Sequence, residues 1–214
     1  LFEMGCHLVI LACNTASAKA LRSIQMNDLP EMDPARRVLG VIRPTAECIG
    51  QITHSRHVGI LATSGTISSG SYPLEIRKLY PDIVVSGEAC PMWVPLVENY
   101  EYDSPGADYF VEKRIGNLLR KDPAIDTIVL GCTHYPLLLN KILKYTPRNV
   151  RIVPQGEYVA YSLKDYLQRH TEIETLCTQS GTCRFLTTES PDKFMESASI
   201  FLRQHVEAER VVLE

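Results

Sequence analysis

The sequence predicts an α/β fold with mostly parallel sheets, because short apolar runs alternate with longer stretches of helical periodicity along the chain. The runs predicted as strands lie near residues 7–12, 38–42, 57–62, 83–87, 127–131 and 150–153, with a further candidate at 184–188. The stretches predicted as helices lie near residues 15–27, 44–54, 72–80, 94–101, 107–121, 136–145, 157–169 and 191–206. In such sheets ligands bind beyond the carboxyl ends of the strands, so we expect functional residues in the loops that follow strands.

Composition and charge exclude several classes of protein. The 214 residues are 45% hydrophobic and 22% charged, which is typical of a globular chain and excludes disorder, collagen and coiled coil. With 22 basic and 25 acidic residues, the net charge of -3 offers no general attraction for nucleic acid or for an anionic membrane. The longest apolar run, residues 8–13, is too short to cross a bilayer, and no segment has the order of a signal peptide. We therefore expect a soluble, cytoplasmic protein with no nucleic-acid or membrane partner.

The chain has an odd number of cysteines, seven, which fits reduced intracellular thiols better than a disulfide framework. Its first residues, Leu1 to Gly5, have the pattern of a last helical turn that ends at a glycine. We therefore expect the sequence to begin partway into a domain. No long linker is present, but proline-containing stretches at 28–37 and 147–155 favour two short crossings between domains. Two crossings predict one domain inserted within another.

Two segments of the chain share one sequence pattern, LVILACNTASAKAL at 8–21 and TIVLGCTHYPLLLN at 127–140. Each reads as a buried strand, a small residue, a cysteine, polar residues and a helix. Both Cys13 and Cys132 are therefore predicted at the carboxyl end of a strand, with a helix N-terminus directly behind. A single cysteine in such a place is more often a packing residue, but the repetition favours chemistry.

A thiol at a helix N-terminus is expected to ionise more readily, because unpaired N–H groups and the helix dipole favour the thiolate. Such a thiolate is a usable base without a metal. Asn14 and Thr15 follow the first cysteine, and Thr133 and His134 follow the second. Residues of these types often cap helices, and they also supply donors suited to the carboxylate of an amino acid.

ACNTAS at 12–17 and VLGCTHYP at 129–136 resemble the two signature segments of the glutamate racemases, which belong to the aspartate/glutamate racemase superfamily. ATSGTISSGSY at 62–72 and ACPMWVPLVE at 89–98 are similar to further segments of the family, in the same order. The resemblance covers essentially the whole chain. His134 favours glutamate over aspartate racemase, in which an acidic residue commonly holds that place.

The resemblance implies two pseudo-symmetric α/β domains that face each other across the active site. The first would comprise residues 1–38 and 154–214, and the second residues 39–153. Cys13 and Cys132 would be the catalytic pair, with Cys13 acting on D-glutamate and Cys132 on L-glutamate. The substrate-binding residues that it implies are Asn14, Thr15, Thr133, His134, Thr63 and Thr66.

The same resemblance implies racemisation without cofactor or metal, a supply of D-glutamate for peptidoglycan, and a homodimer. Two segments of the family have no counterpart in this chain, an Asp-Ser-Gly segment whose acid assists the first cysteine and a substrate-contacting Pro-Tyr-Gly segment. Both precede the first signature in the family. If the polypeptide begins at Leu1, we expect little or no racemisation.

The residues leave several alternative functions open. The chain could be an aspartate racemase or a related racemase, or a module that binds an amino acid without chemistry. Cys132 could be the nucleophile of a hydrolase or amidotransferase with His134 as its base, although residues two apart on a turn seldom form that hydrogen bond. A metal site formed by both cysteines and His134 is a further alternative. Glu98 matches an acidic residue of the family, yet its pattern is more typical of an exposed helix face.

Overall fold

The computed structural model of the chain describes residues 1–179 and 181–212. They form two compact units, Leu1–Cys177 and Thr178–Glu214. The predicted α/β class with mostly parallel sheets is confirmed, because every strand pairing is parallel and helices separate the strands. The division into domains at residues 38 and 154 stays a prediction.

Strands occur at all seven positions that the sequence predicts. Among the described residues the strands are β1 Leu8–Leu11, β2 Arg37–Gly40, β3 His57–Ala62, β4 Val84–Ala89, β5 Thr127–Gly131, β6 Arg151–Pro154, β7 Phe185–Thr187 and β8 Ala208–Arg210. Only β8 is unpredicted, since three residues with two charges lack the apolar content that marks a strand.

Helices occur in all eight predicted stretches, with shifted ends, and the segments Leu29–Met32, Ser64–Ser69 and Thr171–Glu174 form helices that the sequence does not predict. In the described part of the chain the α-helices are α1 Asn14–Lys19, α2 Leu21–Ser23, α3 Leu29–Met32, α4 Ile42–Ile52, α5 Ser64–Ser69, α6 Ser71–Leu79, α7 Trp93–Glu98, α8 Pro105–Lys121, α9 Leu139–Tyr145, α10 Gly156–Arg169, α11 Thr171–Glu174 and α12 Pro191–Leu202. A π-helical stretch, Ile24–Asp28, lies between α2 and α3. A 3-10 turn, Tyr135–Leu138, precedes α9. None of the described helices is both long and apolar enough to span a membrane.

The first unit contains two sheets. One consists of β1 and β2, and the other has the strand order β4-β3-β5-β6. Alternate residues of the larger sheet face opposite sides, so Ile128 and Leu130 enter one apolar cluster with Trp93, whereas Val129 enters another with Tyr72. β5 is buried along its length, which holds the carboxyl end of this central strand rigidly.

The second unit is a small β-α-β arrangement. β7 pairs in parallel with β8, and α12 lies between them in sequence. The rings of Phe185 and Phe194 lie 6.3 Å apart and pack α12 against β7.

The loop from α4 to β3 is held by the carboxylate of Asp126. Its oxygens accept hydrogen bonds from the Thr53 hydroxyl at 2.7 Å, the backbone N–H groups of His54 and Ser55 at 2.7 and 2.6 Å, and the Thr127 hydroxyl at 2.8 Å. Burial alone would raise the pKa of Asp126, but these hydrogen bonds outweigh it and hold the pKa well below its usual range. The carboxylate therefore stabilises the fold in its charged form.

Replacing Asp126 with asparagine should lower the free energy of unfolding at neutral pH by about 1–3 kcal/mol, because an amide cannot accept all of these hydrogen bonds. Since the folded pKa of Asp126 is depressed, its contribution is present above the ordinary pKa of about 4 and is lost as the pH falls below it. Urea unfolding from neutral to acidic pH should show the difference between variant and wild type shrinking in acid. Asp165→Asn, which removes an exposed Arg169 ion pair, is the control and should have little effect. A difference that does not vary with pH would contradict this account of Asp126.

Candidate active site

Cys13 lies where the sequence predicts it, between β1 and α1. It is the N-cap residue of α1, with an extended backbone, and its carbonyl accepts the hydrogen bond of the Ser17 N–H at 2.9 Å. The Ser17 hydroxyl in turn donates to the carbonyl of Leu11 at 2.8 Å. Cys13 is exposed. The strand end and the first helical turn thus hold an accessible thiol in place.

Cys132 directly follows β5 and is 8% exposed. The helix expected directly behind it, from residue 136, is a 3-10 turn instead, and α9 begins only at Leu139. Tyr135 and Leu138 of this turn are buried, and helical periodicity in the sequence does not show that demand of the core. The predicted order of strand, cysteine and helix is therefore correct, but the helix type next to the cysteine is not.

The expectation of a readily ionised thiol is wrong for Cys132 in this structure. Burial raises the pKa of the Cys132 thiol above its ordinary value, and the backbone N–H groups of His134, Tyr135 and Thr133 only partly offset this effect. Loss of hydration at a buried sulfur outweighs the helix-end dipoles on which the prediction depended. Without a further group to stabilise its charge, this thiol stays protonated at neutral pH.

The two cysteines interact electrostatically, although they follow strands of different sheets. A negative charge on Cys13 raises the pKa of Cys132. The loops behind the two sheets meet nearby, since a Cβ atom placed on Gly65 of α5 would lie 3.1 Å from the methyl group of Thr15. Two such thiols resist simultaneous ionisation.

His134 turns back toward Cys132 and also binds Glu98. The Cys132 Sγ lies 3.7 Å from His134 Nδ1, and His134 Nε2 lies 2.5 Å from Glu98 Oε1. The objection that residues two apart seldom form such a contact is therefore wrong here, because the helical backbone of His134 leads into the 3-10 turn and folds its ring back. The three side chains form a continuous path from sulfur to carboxylate.

Glu98 is the functional candidate that sequence reasoning undervalued. It ends α7, and its side chain is 56% exposed, as the pattern predicts. Glu98 can be exposed and still contact His134, because the end of α7 lies beside the loop that follows β5. The match of ACPMWVPLVE to a family segment was the one signal in the sequence that could have identified it.

Asn14 is 2% exposed, and both ends of its amide are hydrogen-bonded within the protein. Its Nδ2 donates to Gln155 Oε1 at 2.7 Å, and its Oδ1 accepts from the Tyr72 hydroxyl at 2.7 Å. Neither partner was expected from the sequence. The predicted contact between the Asn14 side chain and a substrate stays a prediction, and the amide is held in place before any ligand arrives.

Three of the predicted threonines form one cluster. The hydroxyl of Thr15 lies 2.8 Å from that of Thr63 and 3.1 Å from that of Thr66. Thr63 also caps α5, because its side chain accepts the Thr66 N–H. Thr133, the fourth, is exposed beside Cys132. The cluster joins the loop after β1 to the loop after β3 and offers hydroxyl donors there.

Cys13 and Cys132 are both free thiols. Across residues 1–179 and 181–212, no group of three or more His, Cys, Asp or Glu side chains is arranged to hold a metal ion. The grouping of both cysteines with His134 as metal ligands is therefore not present among the described residues. The chemistry that the described side chains can offer at this place is proton transfer by thiols, assisted by an imidazole and a carboxylate.

Comparison with known proteins shows which family the chain matches. The family model described as Asp/Glu/Hydantoin racemase matches residues 1–157. A glutamate racemase of Roseobacter denitrificans is 37% identical over 217 residues, covering 97% of this chain and 77% of the relative. A glutamate racemase of Shouchella clausii is 34% identical and covers 94% of this chain and 69% of the relative.

Solved structures give the same result. A glutamate racemase isoform of Bacillus anthracis superposes with a TM-score of 0.85 at 33% identity, covering 97% of this chain and 74% of the other. A glutamate racemase of Francisella tularensis, solved with D-glutamate, gives 0.82 at 25% identity, covering 100% of this chain and 75% of the other. The chain spans about three quarters of these relatives. By the family match over residues 1–157, the sequence identity and the shared fold, the chain belongs to the Asp/Glu/hydantoin racemase family and, within it, resembles the glutamate racemases throughout its length.

Proposed function

We propose that this chain interconverts L-glutamate and D-glutamate by transferring protons at Cα between Cys13 and Cys132, without a cofactor. The observation that carries the proposal is the placement of two thiols at the ends of β1 and β5, within electrostatic range of each other. Inversion at Cα requires removal of a proton from one face and delivery of a proton to the other. Two opposed acid/base groups meet this need.

The charge relation between the thiols fits this chemistry. One sulfur must accept the proton as a thiolate while the other delivers a proton as a thiol, and the roles exchange with the direction of the reaction. Because a charge on Cys13 disfavours a charge on Cys132, the singly ionised pair is preferred over the doubly ionised one. We assign Cys13 to the D-isomer and Cys132 to the L-isomer, following the family resemblance.

Burial disfavours the thiolate form of Cys132, and His134 and Glu98 favour it. The imidazole lies 3.7 Å from the sulfur and can take its proton, and the Glu98 carboxylate at 2.5 Å stabilises the imidazolium that results. The thiolate and imidazolium then form an ion pair that offsets the cost of a buried sulfur anion. Thr15, Thr63, Thr66 and Thr133 would donate to the substrate carboxylate, on which charge accumulates as the Cα proton leaves.

Glutamate is the proposed substrate because the relatives that match over nearly the whole chain are named glutamate racemases, and one of them was solved with D-glutamate. We further propose a homodimer in the cytoplasm and a role in supplying D-glutamate for peptidoglycan. Aspartate is the alternative substrate to include in every assay.

The path from Cys132 through His134 to Glu98 favours one second candidate, a thiol hydrolase with Cys132 as nucleophile. In that reading Cys13 has no chemical role. Replacing Cys13 with serine would leave a hydrolase active and would stop racemisation on two faces.

The deciding experiment follows the circular dichroism of L-glutamate and D-glutamate in deuterium oxide, on a polypeptide whose intact mass shows that it includes the Asp-Ser-Gly and Pro-Tyr-Gly segments of the family. We expect the signal from either isomer to decay to that of the racemate while deuterium enters Cα. A module that only binds glutamate would give neither change. No deuterium in Cα from either isomer would contradict the proposal for this chain.

A further inference from the structure

Three buried side chains behind the two cysteines form a closed ring of hydrogen bonds, called here the Asn14–Tyr72–Gln155 ring. Gln155 Nε2 donates to the Tyr72 hydroxyl at 2.5 Å, the Tyr72 hydroxyl donates to Asn14 Oδ1 at 2.7 Å, and Asn14 Nδ2 donates to Gln155 Oε1 at 2.7 Å. Each member is at most 9% exposed. Each donor in the ring thus has an acceptor within it, so its geometry is well defined.

The ring joins elements that are distant in sequence. Asn14 is the first residue of α1, Tyr72 lies in α6, and Gln155 follows β6. Gln155 Nε2 also donates to the hydroxyl of Thr45 in α4, at 2.7 Å. Breaking the ring would therefore remove one of the contacts that hold the start of α1 next to Cys13, and the contacts of Thr15 with Thr63 and Thr66 would remain.

Tyr72 links the surroundings of both cysteines. Its hydroxyl holds Asn14, the residue after Cys13. Its ring packs on the backbone of Gly131, the residue before Cys132, because a Cβ atom there would lie 3.2 Å from Tyr72 Cε2. Burial raises the pKa of Tyr72, so the hydroxyl keeps its proton and remains a donor.

We propose that Tyr72 is a positioning residue, whose hydroxyl fixes Cys13 through Asn14 while its ring supports the backbone next to Cys132. This inference rests on the proposed racemase function, since it concerns the spacing of the two sulfur atoms. The hydroxyl binds Asn14 and the ring supports Gly131, so loss of the hydroxyl with the ring kept should disturb mainly the Cys13 side.

Tyr72→Phe tests this proposal, because it removes the hydroxyl and keeps the ring. We expect racemisation to fall by between about tenfold and 10²-fold, the effect of a displaced reacting group. The decisive readout is the isotope effect on kcat/KM with α-deuterated substrates. With Cys13 displaced, cleavage of the Cα–H bond of D-glutamate becomes more rate-limiting, so the isotope effect on kcat/KM should rise for the D-isomer. For the L-isomer the later proton delivery by Cys13 becomes limiting, so its isotope effect should fall. A loss of folded protein would scale both rates and leave both isotope effects unchanged.

Two further variants sharpen the test. Gln155→Met breaks the same ring at another member and should produce the same asymmetry. Tyr80→Phe is the matched control: the Tyr80 ring packs on Gly50 and its hydroxyl donates to the Glu47 carbonyl at 2.7 Å, away from both cysteines. We expect Tyr80→Phe to leave both isotope effects at their wild-type values.

A second readout does not depend on turnover. Peptide-level mass spectrometry after iodoacetamide treatment gives the alkylation rate of Cys13 relative to Cys132. We expect this ratio to change several-fold in Tyr72→Phe and to stay unchanged in Tyr80→Phe. Equal isotope effects and an unchanged ratio in Tyr72→Phe would overturn the positioning role. Absence of Cα exchange in wild-type protein would instead count against the proposed function, and the alkylation ratio would still decide the role of Tyr72.

Discussion

Cys132→Ser and Cys13→Ser are each expected to lower racemisation of both isomers by about 10³-fold, within the range by which a positioned acid or base accelerates proton transfer. An alcohol is a much weaker acid than a thiol, so serine can neither form the base nor deliver a proton at a useful rate. A loss of this size corresponds to about 4 kcal/mol of transition-state stabilisation. Circular dichroism with each isomer measures it.

The two variants should differ in what they retain. With Cys13→Ser, Cys132 can still remove the proton of L-glutamate and return deuterium to the same face. With Cys132→Ser, Cys13 should do the same for D-glutamate. Proton NMR in deuterium oxide would therefore detect slow Cα exchange from one isomer only, without inversion, and from opposite isomers in the two variants.

Cys183→Ser is the control, because Cys183 is an exposed free thiol in the second unit. We expect wild-type rates and wild-type exchange from it. Racemisation that survives Cys13→Ser within a few-fold of wild type would exclude the two-thiol mechanism. Hydrolysis that survives the same change would favour the reading of Cys132 as a nucleophile.

Much of the fold of the first unit could be predicted because its strands carry a clear signal. The buried runs that become β3 and β5 consist of apolar residues followed at once by Thr63 and Cys132. The sequence signal for the end of a helix is weaker than that for a buried strand. Pro136 was expected within an α-helix and lies instead in a 3-10 turn. Tyr135 and Leu138 of this turn are buried, and the periodicity of the sequence does not show this packing. β8 could not be predicted, because its three residues form a strand only by pairing with β7.

The candidate site also contains residues whose positions the sequence predicts and residues whose positions it does not. Cys13 and Cys132 could be found because each follows a strand, and chain order fixes that relation. The partners of these cysteines come from distant positions: Glu98 is 34 residues from Cys132 in sequence, and Gln155 is 141 residues from Asn14. Single-sequence patterns carry no information on such contacts. The same holds for the raised pKa of Cys132, which results from burial among residues of other elements.

His134→Asn is expected to lower kcat by about 10²-fold, near the lower limit of the contribution of a positioned acid or base. The reason is specific to Cys132: burial holds its thiol in the protonated form, and His134 Nδ1 at 3.7 Å is the group placed to accept its proton. Asparagine keeps a polar side chain on the turn but cannot take a proton. The loss should fall mainly on proton removal from L-glutamate, so the isotope effect on kcat/KM should rise for the L-isomer and fall for the D-isomer, the reverse of the pattern expected for Tyr72→Phe.

Glu98→Gln should show the same asymmetry with a smaller loss, about tenfold, because the amide keeps a contact with His134 Nε2 but cannot stabilise an imidazolium by charge. His170→Asn is the matched control, since His170 pairs with Glu172 at 3.2 Å on the surface of the same unit rather than with a cysteine. Full turnover in His134→Asn, or isotope effects that change equally for both isomers, would show that Cys132 reaches its ionised form by another route. A decrease shared by His170→Asn would point to a general loss of folded protein rather than to the path from Cys132 through His134 to Glu98.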